Sequence, residues 1–146
     1  MYVGIGGSRE YPELQDVRDY VYQLNADDVV VSGGARGVDR VAEETAMECG
    51  LHVISFRPFN TQQAVARPWG ILRLMWQGNA WTREMLPERY PSFAPAAFVR
   101  NGYIVELSER VALFWDGRSK GTKDTLRKAE AKLTPRGVDL YRKVAA

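Results

Sequence analysis

Cysteine and histidine are almost missing: Cys49 and His52 are single occurrences in 146 residues. One cysteine excludes an intramolecular disulfide framework and any multi-cysteine zinc or iron–sulfur site. One histidine excludes paired-histidine metal sites, so neither a metal nor a cofactor is expected. No run approaches the roughly 18 apolar residues of a membrane span. The start, MYVGIGGSRE, lacks the basic and apolar regions of a signal peptide. A reducing cytoplasm is the expected setting, with no membrane contact. The catalytic motifs of several large classes are missing too. There is no GxxxxGK[ST] phosphate loop and no GxSxG nucleophile elbow.

What is present fits one soluble domain over 1–146. A hydrophobic fraction of 45% with 26% charged residues is ordinary for a globular chain, and at this length roughly 70% of the unfolded surface is buried on folding. The net charge of +2 hides an asymmetry. Residues 1–116 carry 11 Lys/Arg against 15 Asp/Glu, and residues 117–146 carry 9 against 3. The basic C-terminal stretch reads either as a solvated helix face and tail or as an attractor of phosphates.

Hydrophobic spacing predicts an alternating order of strands and helices. Tyr2–Ile5, Val29–Val31, His52–Phe56 and Arg110–Trp115 read as short buried strands. Leu14, Val17, Val21 and Leu24 form one helical stripe. Val38, Val41, Ala42, Thr45, Ala46 and Cys49 form another, with Gly50 as the residue after its C-cap. Cys49 is read as a small core residue rather than a nucleophile, and His52 as structural. Residues 57–93, with four prolines and three tryptophans, read as an irregular insertion or lid holding one helix near Ile71–Met85. Ala94, Ala97, Phe98, Asn101, Ile104 and Val105 mark a third helix, Thr122–Leu133 a fourth, and Gly137–Tyr141 a last strand. The pattern predicts a Rossmann-like α/β domain of three layers with a mostly parallel sheet.

In such sheets ligands bind beyond the carboxyl ends of the strands. Three strand-to-helix loops share one composition there: Gly6-Gly7-Ser8-Arg9, Ser32-Gly33-Gly34-Ala35-Arg36-Gly37 and Gly117-Arg118-Ser119-Lys120-Gly121-Thr122. Glycines let backbone amides approach an anion, helix N-termini add free N–H donors, and the cations add charge-assisted bonds. Each loop alone could be a tight turn; three together predict one phosphate-binding rim. Arg9 stands where a GxGxxG fingerprint needs glycine, and the second strand ends in Ser32 rather than an acid, so a dinucleotide dehydrogenase is disfavoured. Asn101 lies on an apolar stripe, where a buried amide must find partners. Arg100 is read either as a cleft-facing cation or as a surface one.

The four blocks resemble the SLOG superfamily, which gathers the DprA/Smf DNA-processing proteins, the LOG cytokinin-activating hydrolases and YspA/YpsA-like proteins. Gly6–Arg9 is similar to its GSR loop, Ser32–Asp39 to its second-strand loop, Phe98–Asn101 to its RN helix, and Ser119–Thr122 to its S-x-GT loop. The small single-domain YspA-like branch is the nearest in form. The resemblance implies a nucleotide or nucleotide-derived ligand. Gly7, Ser8 and Arg9 would meet it beside the first strand, and Gly33, Gly34, Ala35 and Arg36 would hold phosphate or ribose. Ser119, Gly121 and Thr122 would cradle phosphate, with Lys120 adding charge. Asp39 would accept from a ribose hydroxyl or cap its helix. LOG hydrolases carry a catalytic glutamate where this chain has Thr125, so a phosphoribohydrolase would have to use Glu106 or Asp116.

Three functions follow as expectations. The first is a nucleotide-binding sensor or carrier; the second is a nucleoside 5′-monophosphate phosphoribohydrolase. The third is binding of single-stranded nucleic acid, with Arg57, Arg67, Arg73, Arg83 and Arg89 interleaved with Trp69, Trp76, Trp81 and Tyr90 as a stacking groove. The same stretch also reads as a subunit interface of a homodimer.

Overall fold

The computed structural model describes residues 1–63 and 65–144. Its elements are β1 (Tyr2–Gly7), α1 (Leu14–Tyr22), β2 (Val29–Ser32), α2 (Val38–Glu48), β3 (His52–Asn60), β4 (Trp69–Trp76), β5 (Trp81–Met85), α3 (Phe93–Leu107), β6 (Arg110–Trp115), α4 (Lys120–Lys132) and β7 (Val138–Arg142). One sheet holds the strands in the order β5-β4-β3-β2-β1-β6-β7. The β3-β2-β1-β6-β7 part is parallel, and β4 and β5 extend it antiparallel beyond β3. The chain's order reverses between β1 and β6, the switch point at which open α/β sheets bind ligands.

Alternation along each strand builds the two faces. Val3 and Ile5 of β1 and Ala112 and Phe114 of β6 join Val17, Val21, Val38, Ala42 and Ala46 under α1 and α2. On the other face, Val111 and Leu113 meet Val105 of α3 and Ala129 of α4, while Val31, Phe56 and Ile71 meet Ala96 and Ile104 of α3. The β1 residues on that second face are Gly4 and Gly6. A Cβ at Gly4 would lie 2.6 Å from the Ser108 hydroxyl, so glycine lets α3 sit on the strand; at Gly6 the nearest atom would be 3.6 Å away.

α2 ends as its sequence predicts. Gly50 has φ +75°, its amide donates to Met47 O, and the Leu51 amide donates to Ala46 O at 2.9 Å, a Schellman closure.

The segment 57–93 differs from expectation. It contains no helix near Ile71–Met85; the end of β3, β4 and β5 make an antiparallel extension instead. Arg57-Pro58 does not stop β3, which runs to Asn60. Beyond Ser55 the strand has lost β2 as a neighbour. Pro58 pairs with Ile71, whose carbonyl is bonded on the β5 side, so the missing proline N–H faces the open flank and costs no ladder bond. The tryptophans and arginines that interleave in sequence are parted by the pleat. Trp69 and Tyr90 pack with Ile71 beneath α3, whereas Trp76 packs on the α2-side core, with Trp81 opposite it in the ladder. No single stacking groove holds them all.

Three smaller expectations also change. Cys49 is exposed, because α2 ends there and the chain turns away. His52 opens β3 as read, but its side chain is exposed. On α3 the buried residues are Ala96, Arg100, Asn101, Ile104 and Val105, so Ala94, Ala97 and Phe98 do not belong to the core.

Candidate functional site

A cleft of about 580 Å³ opens at the β1–β6 switch point, between the N-terminal halves of α3 and α4. Its floor exists because β1 carries glycine at alternate positions. With no side chains at Gly4 and Gly6, the space between the helices reaches the strand backbone, bordered by Ile104, Val111 and Leu113.

The first and third glycine loops meet at the mouth. The Ser8 amide donates to Phe114 O at 2.9 Å. Its hydroxyl donates to Asp116 Oδ1 at 3.1 Å and accepts from the Asp116 amide at 3.0 Å. Thr122 Oγ1 lies 3.3 Å from the same hydroxyl and 3.2 Å from Ser119 Oγ, which caps α4 by accepting from the Thr122 amide at 3.3 Å. Asp116 Oδ1 also accepts from the amides of Arg118 and Ser119, at 2.8 and 2.9 Å. Burial pushes the Asp116 carboxyl up, but those two amides, the Ser8 hydroxyl and the Arg118 charge outweigh it and hold the group below its ordinary value. Ser8 is thus a buried clasp between β1 and β6, behind the cleft wall rather than in it.

The second loop contributes less than its composition predicts. Ala35 and Asp39 line the cleft, but Gly33, Gly34 and Arg36 do not. Arg100 lies against Gly33, where a Cβ would fall 2.6 Å from its Nη1. Gly34, with φ +69°, is covered by Arg57, which is itself paired at 2.5 Å with the buried Glu43. These glycines make room for the side chains of Arg100 and Arg57.

Arg100 and Asn101 of α3 complete the inner wall. Arg100 donates to Gly33 O at 2.6 Å and to Asn101 Oδ1 at 3.0 Å. The Asn101 amide in turn donates to Gly121 O at 3.3 Å and Asp124 Oδ2 at 3.1 Å, tying α3 to the start of α4. The buried amide predicted to need partners has them on both sides. Asp39 receives the Ala35 amide at 3.2 Å. Burial, with Glu43 adding to it, pushes its carboxyl up to about 6, against the opposing charge of Arg100 and the amides of Ala35 and Gly7.

Of the other candidates, Gly7, Arg9, Ser119, Gly121 and Thr122 line the cleft, while Lys120 is exposed beside it. Glu106 lies outside, in a shallow groove on the far side of α3 with Lys128 and Lys132. The position that would hold a catalytic glutamate is Thr125, whose hydroxyl donates to Gly121 O at 3.1 Å. Sequence reasoning missed Phe93 and Phe98. Both line the cleft from α3 and are 42% and 41% exposed. The signal lies in the helical stripe: the spacing puts Phe98 on its apolar face, and α3 meets the core only at Ala96 and from Arg100 onward.

Residues 1–138 match the sequence pattern of the DNA recombination-mediator protein A family. The chain belongs to that family. Among solved structures it is similar to DNA processing protein A (DprA) from Streptococcus pneumoniae, with 20% identity and a TM-score of 0.67 over 99% of this chain and 50% of that one. It is also similar to DNA processing protein A from Helicobacter pylori, described as having a unique single-stranded DNA binding mode. That match has 22% identity and a TM-score of 0.57, over 90% of this chain and 61% of the other. At these identities the likeness is one of fold, and the chain spans about half the length of the first relative. No curated protein matches it. The family falls within the group that the loop resemblance implied, among its DNA-processing proteins. Among the described residues no helix is long and apolar enough to cross a membrane.

Proposed function

We propose that this domain binds single-stranded DNA, with strand phosphates held at the cleft mouth. The observation that carries the reading is the convergence at the β1–β6 switch point of the α4 N-terminus with Arg9 and Arg118. Ser119 Oγ and Asp116 Oδ1 take the Thr122 and Ser119 amides, which leaves those of Lys120 and Gly121 in the first turn to favour an anion, and the two arginines add long-range attraction and charge-assisted bonds. Behind the mouth, Lys120, Lys123 and Arg127 continue the basic face along α4. Membership of a DNA-processing family supports a strand as the ligand, as does the single-strand binding described for the Helicobacter pylori protein. A DNA-handling role also agrees with a cytoplasmic setting.

A free nucleotide, carried or sensed, is the second reading. The cleft volume of about 580 Å³ lies within the range of small-molecule pockets. Both readings use the same anion contacts. Fluorescence anisotropy with a labelled oligothymidylate separates them. Strand binding should weaken as salt rises, with a log–log slope of about −0.7 for each phosphate contacted. Replacing Arg9 and Arg118 by alanine should flatten that slope. Salt-independent affinity, or no binding by the folded protein, refutes strand binding. Full competition by a mononucleotide at far lower concentration than by the oligonucleotide favours the second reading.

A further inference from the structure

β5 closes one end of the sheet, and every residue from Trp81 to Met85 is exposed. Edge strands are normally blunted by proline, lysine, a bulge or a covering element, because their unpaired N–H and C=O groups template a further strand. β5 has no proline and no lysine, and it keeps one register with β4 along its length, so it has no bulge. The ladder fixes which groups stay free. The Leu86 amide donates to Ile71 O and the Gln77 amide to Ala80 O, so the even-numbered residues of this stretch bond inward to β4. Trp81, Arg83 and Met85 therefore turn their N–H and C=O groups outward. Trp81 and Met85 are 36% and 40% exposed, and among the described residues Arg83 is in no ion pair.

We propose that β5 pairs antiparallel with β5 of a second copy of this chain, across a two-fold axis at Thr82, so that one sheet runs through both molecules. A two-fold axis normal to the sheet sets one residue opposite its own copy, and three positions centre it within the strand. An axis at Arg83 opposes two arginines, and one at Glu84 opposes two glutamates; like charges directly opposite destabilise the pair. At Thr82 the strand is self-complementary. Thr82 meets the partner's Thr82, while Trp81 stands opposite the partner's Arg83 and Arg83 opposite the partner's Trp81. Each guanidinium gains an indole face, and these two pairs exchange the outward N–H···O=C bonds. The indole is already held in place: its ring centroid lies 5.6 Å from that of Trp76 and 5.8 Å from the Arg57 guanidinium carbon. The pairing uses no residue that lines the switch-point cleft.

Sedimentation equilibrium of the whole chain should show a monomer–dimer equilibrium. Arg83→Pro removes an outward N–H but no bond to β4, so the fold is kept. Loss of the two symmetry-related bonds should raise the dimer dissociation constant roughly 5- to 150-fold. A second variant tests the register without disturbing the ladder. Opposite residues of a non-hydrogen-bonded pair have Cα atoms about 4.5 Å apart, within disulfide reach. Thr82→Cys, combined with Cys49→Ser to remove the exposed native thiol, should therefore cross-link two copies under diamide. Glu84→Cys on the same background should not, since the axis at Thr82 sets the two copies of that position far apart. A chain that stays monomeric at millimolar concentration overturns the proposal. So does a dimer that survives Arg83→Pro unchanged, or one that cross-links through Glu84→Cys in preference to Thr82→Cys.

Discussion

Asp39 is a buried carboxylic acid in the wall of the switch-point cleft, and folding should register its proton. Burial lifts its carboxyl from 3.8 to about 6, even with Arg100 nearby. The folded state therefore holds the proton more tightly than the unfolded chain does. The associated stability is complete below the unfolded value of 3.8 and is lost as pH rises through the folded value. A shift of this size corresponds to about 3 kcal/mol. Roughly 2 kcal/mol of that should disappear between pH 4.5 and pH 8. Asp39→Asn keeps the shape and an acceptor for the Ala35 amide but has no proton to lose. Its stability relative to the native protein should thus rise by about 2 kcal/mol across that interval, whatever the offset at either end. Urea unfolding of both proteins at several pH values measures the difference, with m-values checked for constancy. Parallel stability curves would show that Asp39 ionises freely in the fold and would refute the argument.

Two further substitutions probe the same architecture. Ser8→Ala leaves the Asp116 amide without its acceptor and Asp116 Oδ1 without a hydroxyl donor; the expected cost is about 1–3 kcal/mol, read as a Tm lowered by roughly 3–10 °C. Gly33→Ala drives a Cβ to 2.6 Å from Arg100 Nη1 and 3.0 Å from Asp39 Oδ2, whereas Gly6→Ala meets nothing nearer than 3.6 Å. The first should therefore cost about 1–3 kcal/mol and the second less than about 1 kcal/mol by chemical denaturation. Equal costs would contradict the close approach of Arg100 to the β2 loop.

The parallel core was legible because its strands are short, β-branched and closed by glycine, and its helices carry single stripes. Arg110–Trp115 is a strand from end to end as read, and Gly50 terminates α2 by the predicted geometry. The antiparallel extension was not legible. Trp69–Trp76 is in contact with other parts of the protein on both faces, which erases the period of two, and Pro58 reads as a breaker unless one knows that β2 has already ended. At the cleft, glycine marks the loops that border it but not what fills the space beside each one. A sequence shows where a Cβ is missing; only the fold shows that Arg57 and Arg100 fill the space at Gly34 and Gly33, while Gly6 stays open. Phe98 was lost for a related reason, since a helical stripe does not reveal where along its length the sheet stops.

The Ser8–Asp116–Thr122 clasp joins positions more than a hundred residues apart, and β1 takes β6 as a neighbour across a comparable interval. Contacts so distant along the chain are slow to form, because a long loop must close before they repay it. During synthesis the first glycine loop emerges early and waits. Its mouth cannot close until Thr122 has left the ribosome, so a nascent chain truncated before α4 carries the α3 side of the cleft without the α4 side.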